Sequence, residues 1–94
     1  MSGAKSFLVR IEGKVQQVWF RGWTIEQATQ LGLEGWVRNR RDGTVEALFS
    51  GPSEAVDQIL EACWQGPPNA RVSAVVSRPA EPPLNRGFKQ LPTD

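Results

Sequence analysis

Two stretches of helical spacing, each set between stretches that alternate, constrain this chain more than any other feature of its sequence. Phe7, Val9 and Ile11 fall on one side and Arg10 and Glu12 on the other, the period of a half-buried strand that ends at Gly13. After Lys14 to Arg21, Thr24 followed three residues on by Gln27 has the form of a capping box. It predicts a helix starting near Thr24, with Ile25, Ala28 and Leu31 spaced by threes and Gly32 as its stop. Leu33 to Asn39 and Thr44 to Ser50 read as two strands joined by a hairpin at Asp42-Gly43. Past Gly51-Pro52, Ser53 is the expected N-cap of a second helix in which Val56, Ile59, Leu60 and Cys63 form an i, i+3, i+4, i+7 stripe. Gly66-Pro67-Pro68 closes it, and Arg71 to Ser77 alternates again with Val72, Ala74 and Val76 on one face. The proline-rich stretch Arg78 to Arg86 reads as a loop, and Gly87 to Leu91 as a short edge strand.

Strand, helix, strand, strand, helix, strand is the split βαβ order of ferredoxin-like domains. The expected fold is therefore an α+β sandwich of βαββαβ type, an antiparallel sheet with two helices on one face. A right-handed crossover makes the first two strands parallel, with the third inserted between them. Their C-terminal ends then share one edge of the sheet, which brings the segment Gly13 to Arg21 toward Asn39 despite their separation in sequence. With 94 residues and no internal linker, the chain is expected to form one domain over 1–94, its core spanning about 6–91.

The composition excludes several chemistries. There is no His, hence no Ser-His-Asp or Cys-His nucleophile and no imidazole metal ligand. The lone Cys63 lies in an apolar helical pattern and is expected to be a buried structural thiol, compatible with a reducing compartment. No metal and no cofactor are expected. Lys and Arg total 11 against 10 Asp and Glu, a net charge of +1 that supplies no basic field for nucleic acid or an anionic membrane. No apolar run approaches the ~18 residues needed to span a bilayer, and Met1 to Ser6 does not lead into a signal-peptide core. A cytoplasmic monomer is expected.

The segment Gly13 to Arg21 joins a strand to a helix N-terminus, where unpaired N–H groups and the positive end of the helix dipole favour an anion. Arg21 adds a planar, permanently charged fork suited to phosphate. Taken singly, the segment also reads as an ordinary loop with a solvated Arg, and Asn39 as a common turn residue. Taken together, Gly13-x-Val15-Gln16-x-Val18-x-Phe20-Arg21 and Gly35-Trp36-Val37-x-Asn39-x-x-Asp42-Gly43-x-Val45 resemble the paired signatures of the acylphosphatase family. Gln65-Gly66-Pro67-Pro68-x-Ala70-x-Val72 is similar to a third segment of that family, and the resemblance runs in matching order from about Phe7 to Leu91.

That resemblance implies a metal-independent hydrolase that cleaves acyl phosphates to a carboxylate and inorganic phosphate. It implies that the backbone amides of Val15, Gln16, Gln17, Val18, Trp19 and Phe20 cradle the phosphate, that Arg21 pairs with it, and that Asn39 holds the attacking water. The chain departs from the family pattern at Gln17, where the family has Gly. A left-handed backbone there costs a residue with a Cβ on the order of 1–2 kcal/mol; the expectation is instead an ordinary backbone with the Gln17 side chain in solvent.

Elementary chemistry is consistent with such a site lacking His. The leaving carboxylate has a conjugate acid of pKa roughly 4, so it departs without a general acid. What remains is to position water and stabilise phosphoryl charge. Of the other residues, Thr24 is expected as a cap and Trp19 and Trp23 as aromatic packing, with a border to the acyl group as the other reading. Arg38, Arg40, Arg41 and Asp42 read as a solvated turn, or as a device steering anions. Trp36, Trp64 and the strand Phe residues read as core or core edge. Two other functions fit the fold: a catalytically weak anion-binding or regulatory domain, and a nucleic-acid binder. The latter is disfavoured by the absence of a basic face and of an RNP1-type strand.

Overall fold

The computed structural model describes residues 3–94. Its elements are β1 (Ala4–Lys14), α1 (Phe20–Gln30), β2 (Glu34–Asn39), β3 (Val45–Pro52), α2 (Ser53–Cys63), β4 (Arg71–Pro79) and β5 (Phe88–Gln90). The sheet order is β4-β1-β3-β2-β5. β3 pairs antiparallel with both β1 and β2, so those two run parallel as the crossover predicts, with their C-terminal ends at one edge. The sheet is mixed rather than wholly antiparallel, because the chain leaves β4 at one edge, crosses to the other and runs parallel to β2 as β5.

Residues opposite one another across antiparallel strands share a face. Val9 and Ile11 of β1 oppose Ala47 and Val45 of β3, and Val37 of β2 opposes Ala47. All five are fully buried and, with Phe49, form the sheet side of the core. The helices supply the other side, Phe20, Thr24 and Ala28 at intervals of four from α1, and Val56, Ile59 and Cys63 from α2. Each large apolar side chain so buried contributes about 1.5–3 kcal/mol. Asn39 opposes Val45, so its side chain belongs to this helix-facing side, at the end of the sheet where β1 gives way to α1.

Several local readings are revised. α1 starts at Phe20, not near Thr24; Thr24 is fully buried one turn in, and its hydroxyl donates to the Phe20 carbonyl at 2.8 Å instead of capping. The buried stripe is accordingly Phe20, Thr24 and Ala28, with Ile25 and Leu31 at its margin. Gly32 does stop the helix: its N–H donates to the Thr29 carbonyl and that of Leu33 to Ala28, with φ 71° at the glycine. Ser53 is the first residue of α2 and not its cap; its own N–H is taken by the Gly3 carbonyl. In β4 a bulge opposite Glu12 and Gly13 skips Ser73, so Val72 and Val75, rather than Val72, Ala74 and Val76, turn toward the core, and Val76 is exposed. Trp64, just past α2, is exposed, whereas Trp36 is half-buried on the open face of the sheet under the Arg38 guanidinium.

Gly35 has φ 139°, and a Cβ built on it would lie 1.7 Å from the Leu48 carbonyl oxygen; at Gly32 a Cβ meets nothing within 4 Å. Gly35→Ala should therefore lower unfolding free energy by about 3 kcal/mol or more, against about 1 kcal/mol for Gly32→Ala, as read from urea midpoints. Burial pushes the Cys63 thiol up to about 12 from its ordinary 9.0. A folded pKa raised above the unfolded one means stability that is whole below about pH 9 and drains away as pH rises toward 12. Stability measured over that window should fall less steeply in Cys63→Ala than in the parent; equal slopes would exclude the assignment.

Candidate active site

A cleft of about 150 Å³ opens at the edge where β1 and β2 end, lined by Val15, Gln17, Trp19, Phe20, Arg21 and Gly22 on one wall and Asn39 and Gln90 on the other. The first wall is the connection from β1 to α1. Val15 and Phe20 are fully buried at its two ends, and Val18 packs against the core between them. Gln16 holds its middle: Nε2 donates to the carbonyls of Arg40 and Thr44 at 2.8 and 2.9 Å, tying the loop to the β2–β3 hairpin.

Between these anchors Gln17 and Trp19 adopt φ of 63° and 66°, the only positive φ values of non-glycine residues among those described. The ordinary backbone expected for Gln17 is thus overturned, although its side chain is exposed as expected. Each left-handed residue costs on the order of 1 kcal/mol or more. The loop keeps this shape because buried side chains and the Gln16 amide hold it from both sides. Placing left-handed residues alternately along a loop turns successive N–H groups toward one concavity, the geometry of an anion-binding nest.

Among the described residues, the N–H groups from Gln16 to Gly22 have no backbone acceptor, and no side chain caps α1 at Trp19. The first turn of the helix therefore presents free donors and its positive dipole end to the cleft. Arg21, half-buried, makes no ion pair among the described residues. Opposite, Asn39 Oδ1 is buried with no hydrogen-bond partner among the described residues, which ordinarily costs about 1–3 kcal/mol. The backbone of Asn39 is fixed by its place in β2 and by the Asp94 N–H, which donates to its carbonyl at 3.1 Å.

The six loop residues, Arg21 and Asn39 are thus brought together, as the crossover topology predicts, with the Gln16 and Val18 side chains turned away from the cleft. Gly22 and Gln90 also line it, and sequence reasoning missed both. Gln90 lies on a three-residue edge strand with no periodic signal. Gly22 is required by Trp19, whose indole occupies the space of a Cβ. Trp23, expected to pack, meets Phe20 edge-on with ring centroids 5.3 Å apart; Trp19 is 58% exposed and does not pack in the core.

The hairpin is not the loosely solvated turn expected. Arg38 and Arg40 bind Glu46 at 2.8 and 3.0 Å and reach Asp94 at 3.4 and 3.8 Å, and hydrogen bonding to Glu46 raises the Arg40 pKa. Thr44 donates to Asp42 through both its hydroxyl and its N–H, which lowers the Asp42 pKa. Arg41, Asp42 and Gly43 at the tip are exposed. Among the described residues no three His, Cys, Asp or Glu side chains gather into a metal site, and no helix is long and apolar enough to cross a membrane.

The family model described as Acylphosphatase matches residues 7–90. An acylphosphatase of Rhodospirillum rubrum is 60% identical over 89 residues, covering 95% of this chain and 98% of its own. The structure of an acylphosphatase from Coxiella burnetii superposes with a TM-score of 0.90 at 33% identity, covering 94% of this chain and 93% of that one. That of acylphosphatase from Bacillus subtilis gives 0.87 at 30% identity, covering 95% and 99%. A strand-to-helix cradle rich in free N–H groups, shared fold and near full-length identity lead to one conclusion: this chain belongs to the acylphosphatase family, hydrolases that act on acyl phosphates.

Proposed function

We propose that this acylphosphatase holds the phosphoryl group of its substrate on the backbone N–H groups of Val15 to Phe20 and on the Arg21 guanidinium, and holds the attacking water on Asn39. The observation that carries the assignment is the buried, unpartnered Asn39 Oδ1 on the wall facing Arg21. An acceptor left empty inside a folded protein is expensive, and a water donating to it recovers that energy while its lone pair points across the cleft.

In this reading the water oxygen bonds to phosphorus as the bond from phosphorus to the acyl oxygen breaks in line. The electron pair leaves with the carboxylate. The water's proton passes to a phosphoryl oxygen of the substrate, giving inorganic phosphate; no cleft-lining side chain is a carboxylate, His, Cys or Lys that would take it. Arg21 and the loop amides meet charge on the phosphoryl oxygens without rearranging, which is where electrostatic preorganisation has its largest effect. A metal ion is not required by these steps. We further read the chain as a single-domain cytoplasmic monomer with no nucleic-acid partner, in keeping with its net charge of +1. A dimer mass in sedimentation, or RNA retained at physiological salt, would count against it.

Steady-state hydrolysis of benzoyl phosphate with chelator present tests the assignment. Arg21→Ala should act mainly on KM, and Asn39→Ala should lower kcat by roughly 10²-fold with little change in KM. The pH–rate profile should follow the substrate's own ionisation; a profile tracking a protein carboxyl whose removal abolishes turnover would sink the proton route. Retained phosphate binding with no turnover in the parent would favour a regulatory anion-binding domain. Because Gln17 carries left-handed strain, Gln17→Gly should raise stability by about 1 kcal/mol and leave phosphate inhibition and turnover undiminished. A large loss of either would assign the glutamine side chain a positive role.

A further inference from the structure

We propose that Trp19 is a subsite for flat, apolar acyl groups, so that this enzyme prefers aromatic acyl phosphates to small aliphatic ones. The inference rests on the phosphate placement just proposed. Trp19 lines the cleft yet is 58% exposed, and it is absent from the residues packed against the core, which include its neighbours Val18 and Trp23. No aromatic ring or cation among the described residues stacks on it. Core packing therefore does not account for its place.

Two features hold it there. Its backbone is left-handed, φ 66° and ψ 26°, a conformation a bulky residue adopts only when its surroundings impose it. Its indole rests on Gly22, where a Cβ would lie 2.0 Å from Nε1 and 2.5 Å from Cε2. Residue 22 is in the first turn of α1, where alanine would favour the helix; glycine leaves the seat for the ring. A strained backbone and a helix glycine together present an indole beside the anion cradle. With phosphate on the loop amides, the acyl substituent extends from the cradle to the cleft mouth, against that ring. An aryl group there stacks on the indole, whereas a methyl group covers little of it.

The test is the ratio of kcat/KM for benzoyl phosphate to that for acetyl phosphate in the parent, Trp19→Ala, Trp19→Phe and Gly22→Ala. Trp19→Ala removes the ring; Gly22→Ala keeps it but unseats it, in a change that suits the helix. The ratio should fall roughly five- to tenfold in both, the size of one aromatic stacking contact, and by less in Trp19→Phe. Loss of activity in equal proportion on both substrates would show that Trp19 only shapes the cradle and would overturn the subsite alone. A parent that hydrolyses neither substrate would overturn the phosphate placement and the subsite with it.

Discussion

The side-chain amide of Gln16 is the join on which the site depends. Its two donated hydrogen bonds end on Arg40 and Thr44, carbonyls that also close the turn of the hairpin by accepting the Gly43 and Arg40 N–H groups. One amide thus reads the geometry of the turn and fixes the loop against it. Each such bond is worth about 1 kcal/mol, comparable with the strain of one left-handed residue beside it. Together with the packing of α1, which carries Arg21, against β2 and β5, this contact holds the loop wall and the Asn39 wall at their spacing.

The loop also shows how a folded chain keeps binding groups unsatisfied. Among the described residues helix α1 forgoes a side-chain cap, Arg21 forgoes a carboxylate, and Asn39 Oδ1 forgoes a donor, all at one cleft. The surrounding core, from Val15 and Phe20 on one side to Val37 and Val45 on the other, supplies the stability that tolerates these deficits. An acyl phosphate suits such a site because its leaving group needs no proton, so the lack of His is no handicap.

Much of the fold was legible because it rests on periodicity. The α2 stripe of Val56, Ile59 and Cys63, the Asp42-Gly43 hairpin and the crossover that sets Asn39 near Arg21 all follow from spacing and handedness. The failures lie where backbone geometry departs from local preference. Thr24 and Gln27 have a capping-box pattern, but the left-handed turn at Trp19 starts the helix a turn earlier and leaves Thr24 to bond back to Phe20. Gln17 as a residue type gives no sign of its left-handed backbone, which tertiary contacts impose; the Gly of the family pattern at that position was the hint. The edge strand at Gly87 to Leu91 was legible, but not its parallel pairing with β2, which is what brings Gln90 to the cleft. The Arg38, Arg40, Glu46 and Asp94 network joins residues up to 56 positions apart and likewise leaves no local trace.

The bulge that breaks the alternation of β4 bears on encounters between molecules. With β5 covering the β2 edge, β4 is the other boundary of the sheet, nine residues long and rich in valine. A regular strand of that kind would offer a second chain an uninterrupted ladder of donors and acceptors. The skip at Ser73 throws such a ladder out of step part-way along, and Arg71 at one end with Arg78 and Pro79 at the other add charge and remove a donor. The irregularity that moves Val75 into the core also blunts the protein's longest exposed template for self-association.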